Sequence, residues 1–356
     1  MNQHKNTLKN QNRMDKKDLL KLLNNLSEEN ESESLNKHDR VLILDGLNLF
    51  FRNFAMLNFV NEEGLHVGGL GGFLRSLGTL INQIHPTSIY VVFDGEGSST
   101  NRKNLVSEYK SNRNIRRITN WQVFNSLEEE NEAKINQIVR LIHYLKCLPL
   151  KVVSLEKTEA DDIIAHLSKK LEEKHKSKVF IVSSDKDFIQ LISPNVVVYR
   201  PIEKDYYTED TVKQKFGISA KNFILYKVLL GDNSDMIKGV KGLGEKGILK
   251  KFPELAERDL SLEDIFDISQ AKHKEHVVYS RVIFEYENLE KNHSIMDLSE
   301  PWLTDEQKEY LNDFIDEKTP KLNEKTFLKF YQEDGLRHLI KNVEYWLTSN
   351  FKDIVK

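Results

Sequence analysis

The sequence predicts an α/β fold with a mainly parallel central sheet and helices on both of its faces. Three short runs, residues 41–44, 89–93 and 179–182, are apolar at every position instead of alternating with polar residues. Such continuous runs are typical of parallel strands that are buried on both faces. Helical patterns at residues 73–84 and 135–145 separate the runs, and strands that alternate with helices favour a parallel sheet.

Each of these runs is followed closely by an aspartate. Asp45 and Asp94 directly follow the first two runs, and Asp185 follows the third after two serines. In open α/β sheets the carboxyl ends of the strands border the functional crevice. The three carboxylates are therefore expected to converge at one edge of the sheet.

Further acidic residues form short clusters in the middle of the chain. A helix with an apolar stripe is predicted after residues 159–162, which read Glu-Ala-Asp-Asp. Taken singly, acids in a first helical turn or in a turn are also explained by the helix dipole or by turn chemistry. So many carboxylates together repel one another unless cations compensate them. The sequence therefore predicts a divalent-metal site that acts on phosphates, as in a nuclease, built from Asp45, Asp94, Glu159, Asp161, Asp162, Asp185, Asp187, Asp232 and Asp235.

Composition places the protein among intracellular globular proteins. The single cysteine, Cys147, excludes a disulfide framework. No apolar run approaches the roughly 18 residues of a membrane span, and the polar N-terminus has no secretory signal. We therefore expect a cytoplasmic protein that does not bind membranes.

The net charge of −3 conceals two basic stretches, residues 102–117 and 227–251. Acidic residues at a reaction centre, with basic residues on either side, are typical of a protein that acts on a polyanionic substrate.

Residues 1–38 are predicted to be a flexible tail. The segment is basic at first, then acidic and serine-rich, and it cannot bury enough apolar surface to order itself. Leucines within residues 14–26 permit a short amphipathic helix, which is either a surface helix or a docking peptide for a partner. Translation from Met14 is an alternative start.

The order of these motifs resembles the 5′ nuclease family of flap endonucleases, the 5′ exonuclease domains of bacterial DNA polymerases I, and phage 5′ exonucleases. The resemblance spans residues 41 to about 255 and rests on Asp45-Gly, Phe-Asp94, the Glu-Ala-Asp-Asp at 159–162, Asp-Lys-Asp at 185–187, and Gly-Asp-Asn-Ser-Asp at 231–235 followed by a glycine-rich turn. Within the family it is most similar to the ribonuclease H of T-even-like phages.

The resemblance implies a PIN-like 5′ nuclease fold in two parts after the tail. A catalytic domain would cover residues 39–215, with a helical arch at about 96–135, and a helical region of the helix-hairpin-helix type would cover residues 216–356. Aromatic and leucine residues at 327–346 predict helical packing near the C-terminus.

The resemblance also implies two Mg2+ ions, which Mn2+ can replace. The first ion would be held, directly or through water, by Asp45, Asp94, Glu159, Asp161, Asp162 and Asp185. The second would be held by Asp187, Asp232 and Asp235, with Asp185 shared between them. Arg102 and Lys110 match arch cations that stabilise charge on the scissile phosphate, which makes them catalytic candidates together with Asp185.

Nucleic-acid contacts are expected from the arch and from the glycine-rich turn at residues 239–247. Closely spaced glycines expose backbone N–H groups that bind phosphate without reading bases, and K+ is expected at this turn. Glycines at 68–72 are interpreted as a loop that enters a helix and contacts the backbone of DNA, or as simple helix-entry geometry. The predicted contacts are Arg102, Tyr109, which would stack on a frayed base, Lys110, Arg113, Gly239, Gly242, Gly244 and Lys246.

The function predicted is a 5′-3′ exonuclease and flap endonuclease with RNase H activity that removes RNA primers and 5′ flaps during replication. Its partners would be DNA and RNA–DNA hybrids, with a sliding clamp or single-strand-binding protein docked on either terminal segment, and the protein would be a monomer. The alternatives are a PIN-type endoribonuclease and a non-catalytic DNA-binding replication factor.

Overall fold

A six-stranded sheet lies at the centre of the structure, a computed structural model that describes residues 37–111, 117–352 and 354. Its strands run in the order β3-β2-β1-β4-β5-β6. All neighbouring pairs are parallel except β5 and β6, which are antiparallel. The mainly parallel sheet is therefore confirmed. Its strands are β1 (Arg40–Asp45), β2 (Ser88–Val92), β3 (Lys151–Val153), β4 (Lys178–Val182), β5 (Val196–Arg200) and β6 (Asp205–Tyr207).

Helices cover both faces of this sheet. Alternate residues of β1 pack into two separate hydrophobic clusters, Val41 and Ile43 into one and Leu42 and Leu44 into the other. Burial on both sides explains why the strand sequences are apolar without alternation. The helices are α1 (Gly46–Met56), α2 (Gly68–Ile84), α3 (Thr100–Leu105), α4 (Leu127–Leu145), α5 (Ala160–His175), α6 (Glu209–Phe216), α7 (Phe223–Leu230), α8 (Glu245–Lys251), α9 (Leu262–Lys272), α10 (Val277–Phe284), α11 (Tyr286–Met296), α12 (Asp305–Asp316), α13 (Glu324–Glu333) and α14 (Val343–Phe351), with short 3-10 helices at Asp187–Leu191 and Pro253–Ala256.

The register of the sheet brings the carboxyl ends of three strands level with one another. Asp45 lies opposite Val92 of β2, and Leu44 lies opposite Val182 of β4. Asp94 and Asp185 follow those strand ends by two and three residues. The register of the sheet thus brings the strand-end aspartates to one edge, as predicted.

The glycines at 68–72 form the start of α2, so the prediction of a loop there was wrong. Gly69 and Gly72 allow α1 to approach closely, since an added Cβ would lie 2.5 Å from a ring carbon of Phe50 and 2.7 Å from Asn53, respectively. The backbone N–H groups of Gly69 and Leu70 donate to Oε1 of Gln137 at 3.0 and 3.1 Å. The glycines therefore serve helix packing, and a side chain already satisfies these two donors.

After β6 the chain is mostly helical. A small antiparallel hairpin, β7 (Gly231–Asp232) with β8 (Ile237–Lys238), separates α7 from α8. In the C-terminal helices, Phe327 and Tyr331 are buried and Trp346 packs against the same cluster, which confirms the predicted packing. Residues from Lys37 onward form one compact unit, so the boundary at 215/216 remains a prediction.

The folded part begins slightly earlier than predicted, because His38 is already buried. The rest of the predicted tail, residues 1–36, lies outside the described residues. Among the helices that the structure describes, none combines the length and the apolar character needed to cross a membrane.

Candidate active site

Asp45 is held in place from two sides at the end of β1. It is the N-cap of α1, where its Oδ1 accepts a hydrogen bond from the backbone N–H of Asn48 at 3.2 Å. Its Oδ2 accepts a hydrogen bond from Oγ of Ser183, the residue after β4, at 2.9 Å. Ser183 also accepts from the backbone N–H of Asp185 at 3.1 Å. One serine thus links the two strand-end aspartates.

Four of the predicted carboxylates, those of Asp45, Asp94, Asp161 and Asp185, line one cavity of about 740 Å³. Burial raises the pKa of Asp45 to about 7, and the nearby Asp94 and Asp185 add to this shift. Burial also raises the pKa of Asp161, and Asp185 is again a contributing neighbour. Like charges that crowd in a buried space favour the neutral acid unless a cation is present. This first carboxylate group therefore has the character of a cation site.

Asp187, Asp232 and Asp235 form a second carboxylate group, with one oxygen from each lying within 4.8 Å of the others. The Nζ atom of Lys227 lies 2.6 Å from Oδ1 of Asp187 and also contacts Oδ2 of Asp232. Burial and the nearby Asp185 raise the pKa of Asp187 to about 7. Burial opposes ionisation of Asp232 as well, but Lys227 outweighs it and lowers that pKa.

Asp185 belongs to both groups. It lines the first cavity and also a second one of about 370 Å³, together with Lys227 and Asp232. Its Oδ1 accepts a hydrogen bond from the backbone N–H of Asp187 at 2.9 Å. The shared position predicted for Asp185 is consistent with this geometry.

Glu159 and Asp162 do not line the first cavity. Asp162 is buried, and its two oxygens accept from Arg102 at 2.6 and 2.8 Å while Oδ1 also accepts from the backbone N–H of Trp302. Glu159 is buried and accepts hydrogen bonds from Arg102, Tyr109 and Lys110. Protein donors thus occupy the carboxylates of Glu159 and Asp162 in this structure, and the assignment of these two residues to the first ion stays a prediction.

Arg102 and Tyr109, which are predicted to contact nucleic acid, are both buried in this structure. Arg102 is 3% exposed, and its Nε donates to the backbone carbonyl of Ile295 at 2.8 Å. Tyr109 is 4% exposed, and its hydroxyl donates to Glu159 at 3.0 Å. Neither side chain reaches a surface on which a phosphate or base could lie. In this structure both residues hold Glu159.

Lys110 differs from these two residues because it lines the first cavity. Its Nζ lies 2.9 Å from Oε1 of Glu159. Its backbone N–H donates to the carbonyl of Asp235 at 3.0 Å, so the residue contacts the second carboxylate group as well. Arg113, the remaining predicted cation of this segment, lies outside the described residues.

The glycine-rich turn follows the second carboxylate group directly. Gly242 has φ +83°, a conformation that L side chains rarely adopt. Gly244 caps α8, and both glycines are exposed together with Lys246. Gly239 is less accessible, because it packs against the backbone of Leu230 and Gly231. The exposed residues of the turn are therefore Lys241, Gly242, Gly244, Glu245 and Lys246, whereas Leu243 is buried.

Sequence reasoning missed two sets of residues at this site. Lys227 was counted only as the start of a basic stretch, although a single cation inside the apolar helix α7 is a signal for a buried partner. The rim of the first cavity was not predicted, because its residues come from α1 and from the β5–β6 turn and have no motif. That rim includes Phe51, Arg52, Met56 and Ile202.

Comparison with known proteins identifies the family. Residues 40–217 match the family described as 5′-3′ exonuclease, N-terminal resolvase-like domain. The chain belongs to this 5′-3′ exonuclease family. The 5′-3′ exonuclease of Aquifex aeolicus is 34% identical over 214 residues, which are 59% of this chain and 68% of the relative. The DNA polymerase I of Bacillus caldotenax is 31% identical over 243 residues, which are 66% of this chain but 26% of the polymerase.

Solved structures share the fold of this 5′-3′ exonuclease family member. The bacteriophage T5 D15 flap endonuclease, in a pseudo-enzyme-product complex with DNA and metal ions, has a TM-score of 0.59 at 19% identity, over 83% of this chain and 99% of that chain. Human GEN1, in complex with Holliday junction DNA, has a TM-score of 0.53 at 16% identity, over 90% of this chain and 73% of GEN1. The PIN-like 5′ nuclease fold is confirmed, and membership of the exonuclease family makes the chain an enzyme, a nuclease.

Proposed function

We propose that this 5′-3′ exonuclease family member hydrolyses phosphodiester bonds of DNA with two divalent metal ions, acting as an exonuclease and as a flap endonuclease. The observation that carries the proposal is the pair of adjacent carboxylate groups that share Asp185 at the carboxyl end of the sheet. Metal dependence is general in this family. We propose that the ions are two Mg2+ ions, one held by each carboxylate group.

The first ion would be held by Asp45, Asp94, Asp161 and Asp185. Their oxygens suit Mg2+, which prefers hard ligands and retains several waters, and Mn2+ would substitute for it. The raised pKa values of Asp45 and Asp161 support the assignment, because they express a shortage of positive charge. Glu159 would act on this site through Lys110 and not as a ligand.

The second ion would be held by Asp187, Asp232 and Asp235, with Asp185 shared. The ammonium of Lys227 already bridges two of these carboxylates, so a cation is stable at this position. We propose that Lys227 is a resident stand-in for the second ion, and that it moves aside when the ion binds. When bound, the two ions would lower the pKa of a coordinated water and neutralise the attacked phosphate.

Side chains and backbone groups of the protein would bind the substrate at and near the cavity. Lys110 lines the cavity and would approach a phosphate there, while its contact with Glu159 limits its position. Exposed apolar side chains on the rim, such as Phe51 and Met56, would contact nucleotide bases or sugars at the mouth of the cavity. The turn at Gly242, Gly244 and Lys246 would bind phosphates of the duplex through backbone N–H groups, with K+ bound at the same turn.

The substrates proposed are 5′ flaps, nicked duplexes and RNA–DNA hybrids. Two solved structures of this fold contain DNA, and a DNA polymerase I is among the relatives. This supports a role in DNA replication. RNase H activity on RNA primers, a cytoplasmic monomer, and docking of a sliding clamp or single-strand-binding protein extend the proposal.

Cleavage of 5′-labelled substrates tests the assignment. Flap, nicked and RNA–DNA substrates are incubated with the protein, with and without Mg2+, and Asp185→Ala and Asp232→Ala are compared with Asp267→Ala, an exposed aspartate of α9 that is remote from both groups. Loss of cleavage in the first two variants but not in the third is expected. Unchanged cleavage by Asp185→Ala would refute the site. Cleavage of DNA but not of the hybrid would remove only the RNase H activity.

A further inference from the structure

A second type of candidate metal site lies at the opposite end of the sheet from the catalytic carboxylates. His38 precedes β1 by two residues, whereas Asp45 ends that strand. His175 is the last residue of α5, and Asp316 is the last residue of α12. One ring nitrogen of each histidine and one carboxylate oxygen of Asp316 lie within 4.8 Å of one another. Three segments that are far apart in sequence thus meet in one cluster.

The two imidazoles lack the partners that buried rings normally have. His38 is 5% exposed, and its Nδ1 has no hydrogen-bond partner among the described residues. The same holds for Nε2 of His175 in that part of the chain, because its distance of 3.6 Å to Oδ1 of Asp316 is too long for a hydrogen bond. The rings lie close together, with centroids 4.3 Å apart. Most buried polar atoms in native proteins have a partner, and a bound metal ion would give both ring nitrogens one.

Two helix ends and three lysines border the cluster. The carboxyl ends of α5 and α12 both point to the cluster, and helix carboxyl ends carry partial negative charge. Lys151 donates to the carbonyls of Phe314 and Ile315, and Lys37 to the carbonyl of Glu317. Lys174 pairs with Oδ2 of Asp316, the oxygen that does not face His175. Oδ1 of Asp316 is the oxygen that faces His175.

We propose that His38, His175 and Asp316 bind a divalent transition-metal ion of the Zn2+ class as a structural site. Two imidazoles and one carboxylate are ligands that Zn2+ accepts, and the half-exposed position of Asp316 leaves room for water as a fourth ligand. Neutral imidazole is the form that coordinates metals. The ion would fasten the segment before β1 to α5 and α12.

Calorimetric titration of the full chain with zinc chloride tests this site. Excess Mg2+ is included so that the catalytic carboxylates are occupied, and thermal unfolding is followed in parallel with and without Zn2+. One zinc ion per chain and a higher Tm with zinc are expected. His38→Gln, His175→Gln and Asp316→Asn should each weaken zinc binding by about tenfold or more, since each removes a ligand.

His166→Gln is the matched control, because His166 is a buried histidine of the same helix whose Nε2 already contacts Asn312 at 3.0 Å. It should bind zinc like the natural chain. Asp316→Asn keeps the test valid if His38→Gln fails to fold, since Asp316 lies at the surface. The proposal is overturned if no zinc binds in the presence of Mg2+, or if any folded ligand variant binds zinc as tightly as the control. Neither result bears on the catalytic site.

Discussion

Replacement of Lys227 by methionine tests whether its ammonium stands in for the second metal ion. Methionine keeps much of the length of the side chain and removes its charge. Lys227 is 9% exposed and pairs with Asp187 and Asp232. Removing one partner of a buried ion pair costs about 3–5 kcal/mol, because the remaining charge is buried and unpaired. The free energy of unfolding of the metal-free Lys227→Met variant should therefore fall by roughly 3 kcal/mol.

The effect on metal binding should have the opposite sign. Unit charges about 4 Å apart interact by about 4 kcal/mol at an effective dielectric constant of 20, so an ammonium beside a divalent ion is strongly unfavourable unless it moves. In the Lys227→Met variant there is no ammonium to move, so metal binding no longer carries this cost. We expect the second ion to bind at least about tenfold more tightly, a gain of about 1.4 kcal/mol, and Mg2+ to restore the lost stability.

Calorimetric titration with Mn2+ and thermal unfolding with and without Mg2+ measure the two effects. Lys238→Met is the control, because Lys238 is an exposed lysine whose Nζ lies 3.8 Å from Glu108. It should change both quantities little, as exposed pairs contribute about 0–1 kcal/mol. If Lys227→Met destabilises the protein equally with and without Mg2+, the lysine is structural only. Unchanged or weaker binding of the second ion would also contradict the reasoning.

Three further predictions concern the same region. Arg102→Lys should lower the free energy of unfolding by about 3 kcal/mol in urea titrations, because lysine cannot reproduce the paired contacts of the guanidinium; a change below about 1 kcal/mol would contradict this. The folded-state pKa of Asp45, about 7, lies above its ordinary value of 3.8, so this carboxyl destabilises the metal-free protein increasingly as pH rises from about 4 to 7. Without Mg2+, Tm should therefore rise on acidification from about pH 8 to about pH 5, and Asp45→Asn should weaken that trend; an identical trend in the variant would refute it. Gly69→Ala should destabilise the protein by about 1–3 kcal/mol, because its Cβ would lie 2.5 Å from a ring carbon of Phe50. Gly247→Ala is the control, because its nearest contact would be at 3.5 Å, and it should leave the stability unchanged. Equal Tm values for the two variants would argue against the close packing of α1 and α2.

The sequence was a good guide wherever a pattern repeats along the chain. The continuous apolar runs predicted β1, β2 and β4 to within one residue at each end. Helix starts were predicted less well. The first two turns of α4 are mostly acidic, so its apolar periodicity begins only near residue 135 although the helix starts at Leu127. Helix α2 begins with glycines, which usually mark loops, so its start was not predicted.

The candidate site shows why motif reasoning identifies residues better than it assigns contacts. Spacing placed Glu159 and Asp162 next to Asp161 in one acidic cluster. Successive residues of a helix point about 100° apart, so Asp161 faces the cavity while Asp162 faces Arg102. Which carboxylate meets a metal and which meets an arginine depends on tertiary packing, and a single sequence does not specify it.

Lys110 joins the two carboxylate groups to the segment between β2 and α4. Its ammonium contacts Glu159, its backbone N–H donates to the carbonyl of Asp235, and its φ of 53° lies in the left-handed region. That conformation costs a non-glycine residue roughly 1–2 kcal/mol, which the surrounding contacts must offset. A shift of this segment would release the backbone of Asp235 and the side chain of Glu159 together. The position of the segment is therefore linked to both proposed ion sites, through Lys110 at Asp235 and through Arg102, Tyr109 and Lys110 at Glu159.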